Sequence, residues 1–171
     1  MIDVKRIFPE CCADTFLVSL IFQQEIVPDY TGIGDVANAM KSYNSDDFII
    51  GVIDTDKFKR RDPAYIREFT EIVDNKMNTE GIIVFKIPNT NRHILRLHPA
   101  FEKWIFAAAA ACQIDPGKYG FDTFKKLCNA AKTIDVAKNE QLRNFLIAVI
   151  DANPSAIQTL REWLTKAHPG E

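Results

Sequence analysis

The stretch Phe48–Lys57, "FIIGVIDTDK", decides the fold: a continuous apolar run climbs into two aspartates one residue apart. Apolar residues without alternation mark a strand covered on both faces, as in the parallel sheets of α/β proteins. Such a strand leaves its sheet at the carboxyl edge, where these proteins gather their functional groups. Asp54 and Asp56 lie two positions apart, so in an extended segment both side chains point to the same side.

Working outward from this strand, elements alternate. Val4–Phe8, "VKRIF", reads as a short strand, and Ala13–Gln24, "ADTFLVSLIFQQ", is too apolar for a one-sided surface helix, so it should lie buried against a sheet. Glu25–Val27 opens a second short strand, and "TGIGDVANAMKSY" is a glycine-marked turn into a helix carrying Ile33, Val36, Ala37 and Met40. Pro63–Met77 reads as a helix with proline at its start and Ile66, Phe69, Ile72 and Val73 on one stripe. Gly81–Ile87, "GIIVFKI", supplies another buried strand. From about Ala100 onward every segment reads as helix, with breaks at Asp115-Pro116-Gly117, Thr133 to Asn139 and Asn153-Pro154. The pattern predicts an α/β, Rossmann-like fold: a mostly parallel four-stranded sheet flanked by helices over residues 1–98, with a helical C-terminal extension over 99–171 packed on that core.

Composition narrows the function. With 171 residues, 47% hydrophobic and 26% charged, the chain has material for one full core and little for a second. Its net charge of −2 speaks against a globally basic nucleic-acid binder, so a phosphate partner must be met by a local patch or a metal. The first residues show no signal-peptide pattern, and the most apolar segment, "WIFAAAAACQI", is too short to span a bilayer. A cytoplasmic protein without a membrane partner is expected. Cys11, Cys12, Cys112 and Cys128 have neither metal-site spacing nor the density of a disulfide scaffold, which fits reduced thiols.

Glu10 closes the first strand, and neighbouring strands lie about 4.8 Å apart, so Glu10, Asp54 and Asp56 can converge on one ion. Hard oxygen ligands of this kind suit Mg²⁺ or Mn²⁺. The structural alternative is that the aspartates merely cap the segment that follows. Lys57, Lys59, Arg60 and Arg61 come directly after and suit phosphate binding, with a solvated loop as the alternative. Arg92, His93, Arg96 and His98 form a second basic group, expected at the same edge. Its histidines read as surface or structural residues rather than ligands. Phe101, Trp104 and Phe106 read as core. The motif "GIGDVA" at Gly32–Ala37 matches a dinucleotide-binding fingerprint, with Asp54 at the required distance, but Pro28 and Asp29 stand where that motif needs a firm strand.

An acidic residue ending the first strand, in "IFPECCADTF", then a helix, a glycine turn, a second helix and a strand ending in "IDTD", resembles the Toprim pattern. That family includes topoisomerase and primase domains and the OLD-type (overcoming lysogenization defect) nucleases, whose small relatives are closest in character. The resemblance covers about the first 106 residues. It implies a catalytic or metal-associated role for Glu10 and metal binding by Asp54 and Asp56. Asp14, in line with an EGxxD-like form, and Glu102, in "HPAFEKWIF", become supporting residues. Cys11 stands where the pattern usually has glycine. What the resemblance implies is Mg²⁺-dependent phosphodiester chemistry on nucleic acid, nuclease-like in kind. The competing reading is a catalytically degenerate interaction module that partners an ATPase or another protein, or a second copy of itself. A dinucleotide-binding protein ranks third.

Overall fold

The computed structural model describes residues 6–24, 32–43, 46–55, 62–71, 80–133 and 135–167. Its centre is a five-stranded mixed sheet in the order β1-β2-β5-β4-β3, with β1 Ile7–Pro9, β2 Ile49–Asp54, β3 Thr70–Glu71, β4 Ile82–Lys86 and β5 Arg92–Leu97. β1, β2 and β5 run parallel to one another, while β4 is antiparallel to β5 and the two-residue β3 antiparallel to β4. Six α-helices are described: α1 Cys12–Phe22, α2 Ile33–Ser42, α3 Phe101–Ala111, α4 Phe124–Ala131, α5 Glu140–Ala152 and α6 Ser155–Lys166. The α/β class, the helices flanking the sheet and the helical C-terminal extension are as the sequence indicates.

β2 is the spine of the sheet. Its residues are buried on both faces, as a central parallel strand requires. Ile50 and Val52 join Ile7, Val84, Leu95 and Leu97 in one core with α1 and the helices after Phe101. Ile49 and Ile53 turn to the other face and meet Phe8, Ile94, Ile66, Phe69 and the α2 residues Val36, Ala37 and Met40. Gly51 lets α2 come close: a Cβ there would sit 2.9 Å from the Met40 sulfur. The larger core is shared by the sheet and the C-terminal helices, down to Leu160, Trp163 and Leu164 of α6. Glu80 strengthens the join, its carbonyl accepting from Trp104 Nε1 at 2.9 Å and its carboxylate from the Thr159 hydroxyl. Among the described residues no helix is long and apolar enough to cross a membrane.

One local expectation is corrected, and one strand goes beyond what the sequence indicates. Within the described part of the predicted Pro63–Met77 helix, only Ile66–Glu68 is helical, as a 3₁₀ turn. Phe69 is then extended, and Thr70 and Glu71 pair with Lys86 and Phe85 of β4. The apolar stripe is used, since Ile66 and Phe69 are buried, but edge pairing takes the backbone that a helix would have claimed. Arg92–Leu97, which carries arginine at two positions and a histidine beside the first, is a full central strand between β2 and β4. The strand expected at Glu25–Val27 lies outside the described residues.

Candidate active site

Glu10 follows β1 immediately, and its backbone N–H donates to Val52 O at 2.8 Å, continuing the β1–β2 ladder by one residue. That pairing brings its side chain to the end of the neighbouring strand, where Oε2 accepts from the Asp54 backbone N–H at 3.0 Å. Asp54, the last residue of β2, in turn accepts on Oδ1 from the Phe101 N–H at 2.8 Å. Phe101 is the first residue of α3, and the helix has no capping side chain of its own because Ala100 stands at the N-cap. Asp54 therefore serves a long-range cap, its negative charge set against the positive end of a helix. The two carboxylates expected at the ends of the first and central strands do meet, and backbone donors hold both.

Asp14 lies behind them. It is the third residue of α1, only 1% exposed, and its Oδ1 has no hydrogen-bond partner among the described atoms. Its Oδ2 accepts from the Cys11 thiol at 3.2 Å. Burial, then the negative charges of Asp54 and Glu10, hold the Asp14 carboxyl well above the usual carboxylate range, against the opposing pull of hydrogen bonding from Cys11. The electrostatics thus tie Asp14 to both strand-end acids. Cys11 occupies the N-cap of α1 with φ −135° and ψ 172°, an extended conformation open to any residue, so the absence of glycine there carries no backbone strain. Burial and the Asp14 charge push its thiol up, which makes it a poor nucleophile.

The remaining predicted residues distribute differently. Glu102 sits in the first turn of α3, one residue beyond the amide that Asp54 accepts; burial, and then the Glu102 charge, push the Cys128 thiol on α4 up. Asp56, Lys57, Lys59, Arg60 and Arg61 lie outside the described residues. The second basic group splits. Arg92 and His93 begin β5 opposite Ile49 and Ile50, at the amino end of β2, whereas Arg96 pairs opposite Ile53 near its carboxyl end. Arg92 closes the C-terminal end of α2, donating to the carbonyls of Met40 and, at 2.7 Å, Tyr43, and to the Tyr65 hydroxyl at 3.1 Å. Arg96 pairs with Asp62 at 2.6 Å and lies over the Phe85 ring. His93 is buried and stacked on Phe48 with ring centroids 4.3 Å apart, a structural histidine as expected. In "GIGDVA", a side chain at Gly34 would meet nothing within 4 Å, so close packing does not demand that glycine.

Among the described residues, no group of three or more His, Cys, Asp or Glu side chains is gathered closely enough to enclose an ion. Mg²⁺ does not need such a cage, because it commonly keeps several waters and is held by one or two carboxylates. Glu10 and Asp54 on adjacent strand ends, with an unpartnered buried acid oxygen behind them, fit that requirement. The sequence places Cys11 near the site, but two parts of the arrangement went unseen there: the hydrogen bond from its thiol to Asp14, and the Phe101 amide, which no residue type signals. Comparison with family models, curated proteins and solved structures returned no match to this chain.

Proposed function

We propose that the chain carries out Mg²⁺- or Mn²⁺-dependent phosphodiester chemistry on nucleic acid, nuclease-like in kind, in the manner its Toprim-like sequence pattern implies. The observation that carries the reading is the meeting of Glu10 and Asp54 at the carboxyl edge of two parallel strands, with the buried Asp14 close enough to feel the charge of each. Acids placed there without a catalytic or ligand-binding task would repel one another to no benefit, and such placement is typical of functional sites. When bound, Mg²⁺ or Mn²⁺ supplies Lewis-acid polarisation of a phosphodiester oxygen. The chain's own residues do the rest. The Asp54 amide holds the Glu10 carboxylate in one orientation, ready as ligand or as general acid/base, and the start of α3 holds Asp54. Asp56 would complete the ligand set, and Lys57, Lys59, Arg60 and Arg61 would meet the phosphate backbone.

The test is a Mn²⁺ titration of the melting temperature, run beside cleavage of single- and double-stranded DNA and RNA. Mn²⁺ is expected to raise the melting temperature of the wild type, since a ligand bound only by the folded state stabilises it. Asp54→Asn should lose that rise and any cleavage while keeping the apo fold, because an amide oxygen can still accept from Phe101. No effect of Mn²⁺ or Mg²⁺ at millimolar concentration would sink the catalytic reading. The chain would then stand as a degenerate interaction module, the alternative favoured by the structural use already made of Asp54 as a cap.

A further inference from the structure

We propose that Cys11 is a positioning residue whose thiol fixes the Asp14 carboxyl, so that one oxygen is held by the protein and the other is kept for the Glu10–Asp54 pair. The proposal rests on the metal-dependent reading above and deepens it. A carboxyl group turns about its terminal bond with little preference, so an acid buried in a site needs a fixed donor on one oxygen to present the other reproducibly. Cys11 is placed for this: it stands at the N-cap of α1 with its Sγ 3.2 Å from Oδ2, and Asp14 is on the first turn of the same helix. The division of labour is complete on the Asp14 side. Oδ2 has the thiol, Oδ1 has no partner among the described atoms, and the residue is 1% exposed, so bulk water does not supply the missing bond.

Two other features support the assignment. The Cys11 Sγ donates to Asp14 Oδ2 and also meets the Asp14 backbone amide, so these contacts fall on one residue. The extended backbone at Cys11 would accept any residue, so backbone geometry does not require a small or flexible one there. Support of this kind behind a metal-binding group typically changes metal affinity by about 10–100-fold when it is removed.

The experiment uses the full chain and four variants: Cys11→Ser, which keeps a donor, Cys11→Ala, which removes it, Asp14→Asn, and the Cys11→Ala/Asp14→Asn pair. Two readouts are taken, the apo stability by urea denaturation and the Mn²⁺ dissociation constant by calorimetry. Cys11→Ala is expected to weaken Mn²⁺ binding by about tenfold, and Cys11→Ser to restore it to within about threefold of the wild type. The apo double-mutant cycle should show coupling between the two positions. If Cys11→Ala alters apo stability but binds Mn²⁺ as the wild type does, the thiol is only a packing group and the proposal is overturned. Additive apo effects, with no coupling, overturn it as well. A coupled cycle in a wild-type chain that binds no Mn²⁺ overturns it differently, since the contact would then serve the fold alone and the metal reading would be what failed.

Discussion

The two ends of the β2–β5 pair make opposite use of their polar groups. At the amino end, Arg92 has its guanidinium committed to two carbonyls of the α2 terminus and a tyrosine hydroxyl, and His93 is sealed in a stack with Phe48 and Trp163. At the carboxyl end, acids from β1, α1 and β2 act on one another, and one of them keeps an oxygen without a partner although it is buried. At the first end the Arg92 charge is met by carbonyl and hydroxyl oxygens of the fold, while His93 Nδ1 is buried with no hydrogen-bond partner among the described atoms. At the second the acids are held by hydrogen bonds that include those from the Asp54 and Phe101 amides and the Cys11 thiol. An acid oxygen buried without a hydrogen-bond partner among the described atoms costs stability, and such groups recur at functional sites.

The strongest way to break the comparison is to remove what serves both ends. A chain ending at Pro99 would lose the Phe101 amide that Asp54 accepts and the Trp163 ring beside His93, together with the C-terminal half of the larger core. It should give a molten or insoluble product. A cooperative urea transition from that fragment would show the C-terminal helices to be independent of the sheet.

Next in size is Arg92→Ala. The change strips donors from the carbonyls of Met40 and Tyr43 in a partly buried setting, where hydrogen bonds to a charged group are each worth about 1.5–3 kcal/mol. A loss of about 3 kcal/mol or more in urea denaturation is expected, with Mn²⁺ affinity per folded molecule unchanged. Loss of Mn²⁺ binding without loss of stability would mean that the two ends are not separate in function.

Asp14→Asn should act in the opposite direction. The folded protein holds this carboxyl above its usual range, so its contribution to stability is fully present below the unfolded value and is lost as pH rises through the folded one. At neutral pH the acid is therefore a burden on the apo protein. Replacing it is expected to add about 0.5–2 kcal/mol, the common size of a single stabilising change. The gain should grow from pH 4 to pH 8, and it should be accompanied by weaker Mn²⁺ binding. A pH-independent effect would show that the folded protein does not raise the Asp14 carboxyl.

How much of this could be read in the chain depends on whether the partner of each residue was local. β2 is legible because burial on both faces leaves a run with no polar residue, and Asp54 and Glu10 follow from strand ends alone. β5 is hidden because Arg92 and Arg96 find their partners at Met40, Tyr43 and Asp62, tens of residues away, so a central strand resembles a basic loop. The segment after Pro63 has a helical stripe, and only the presence of β4 as a pairing edge turns part of it into strand. The depth of Asp14 is likewise invisible, since an acid in the first turn of a helix is ordinarily an exposed complement to the dipole. Which acids stand at strand ends can be read locally; which of them is buried, and what holds it, depends on the assembled fold.

The smallest effect belongs to His93 and sharpens the comparison from the side of the amino end. Burial pushes its pKa down to about 4, with the charges of Lys86 and Lys166 adding to the effect and a hydrogen bond to the Asn91 backbone opposing it. Around the ring stand Phe48 and Trp163, neither of which can take up a proton, and Lys166 lies over the Trp163 face at 3.6 Å from its centroid. The unfolded chain protonates this histidine near its ordinary value of 6.5, the folded chain only near 4, so between those two values the unfolded state binds more protons. Stability from this residue is whole above about pH 6.5 and declines as the pH falls toward 4. His93→Phe keeps the stack and removes the titration. Urea denaturation at pH 7 and pH 5 should therefore show a smaller acid loss in His93→Phe than in the wild type, with the two proteins nearly equal at pH 7. An equal loss in both would mean that the ring takes its proton without leaving the stack, and the amino end would then be less firmly sealed than its geometry indicates.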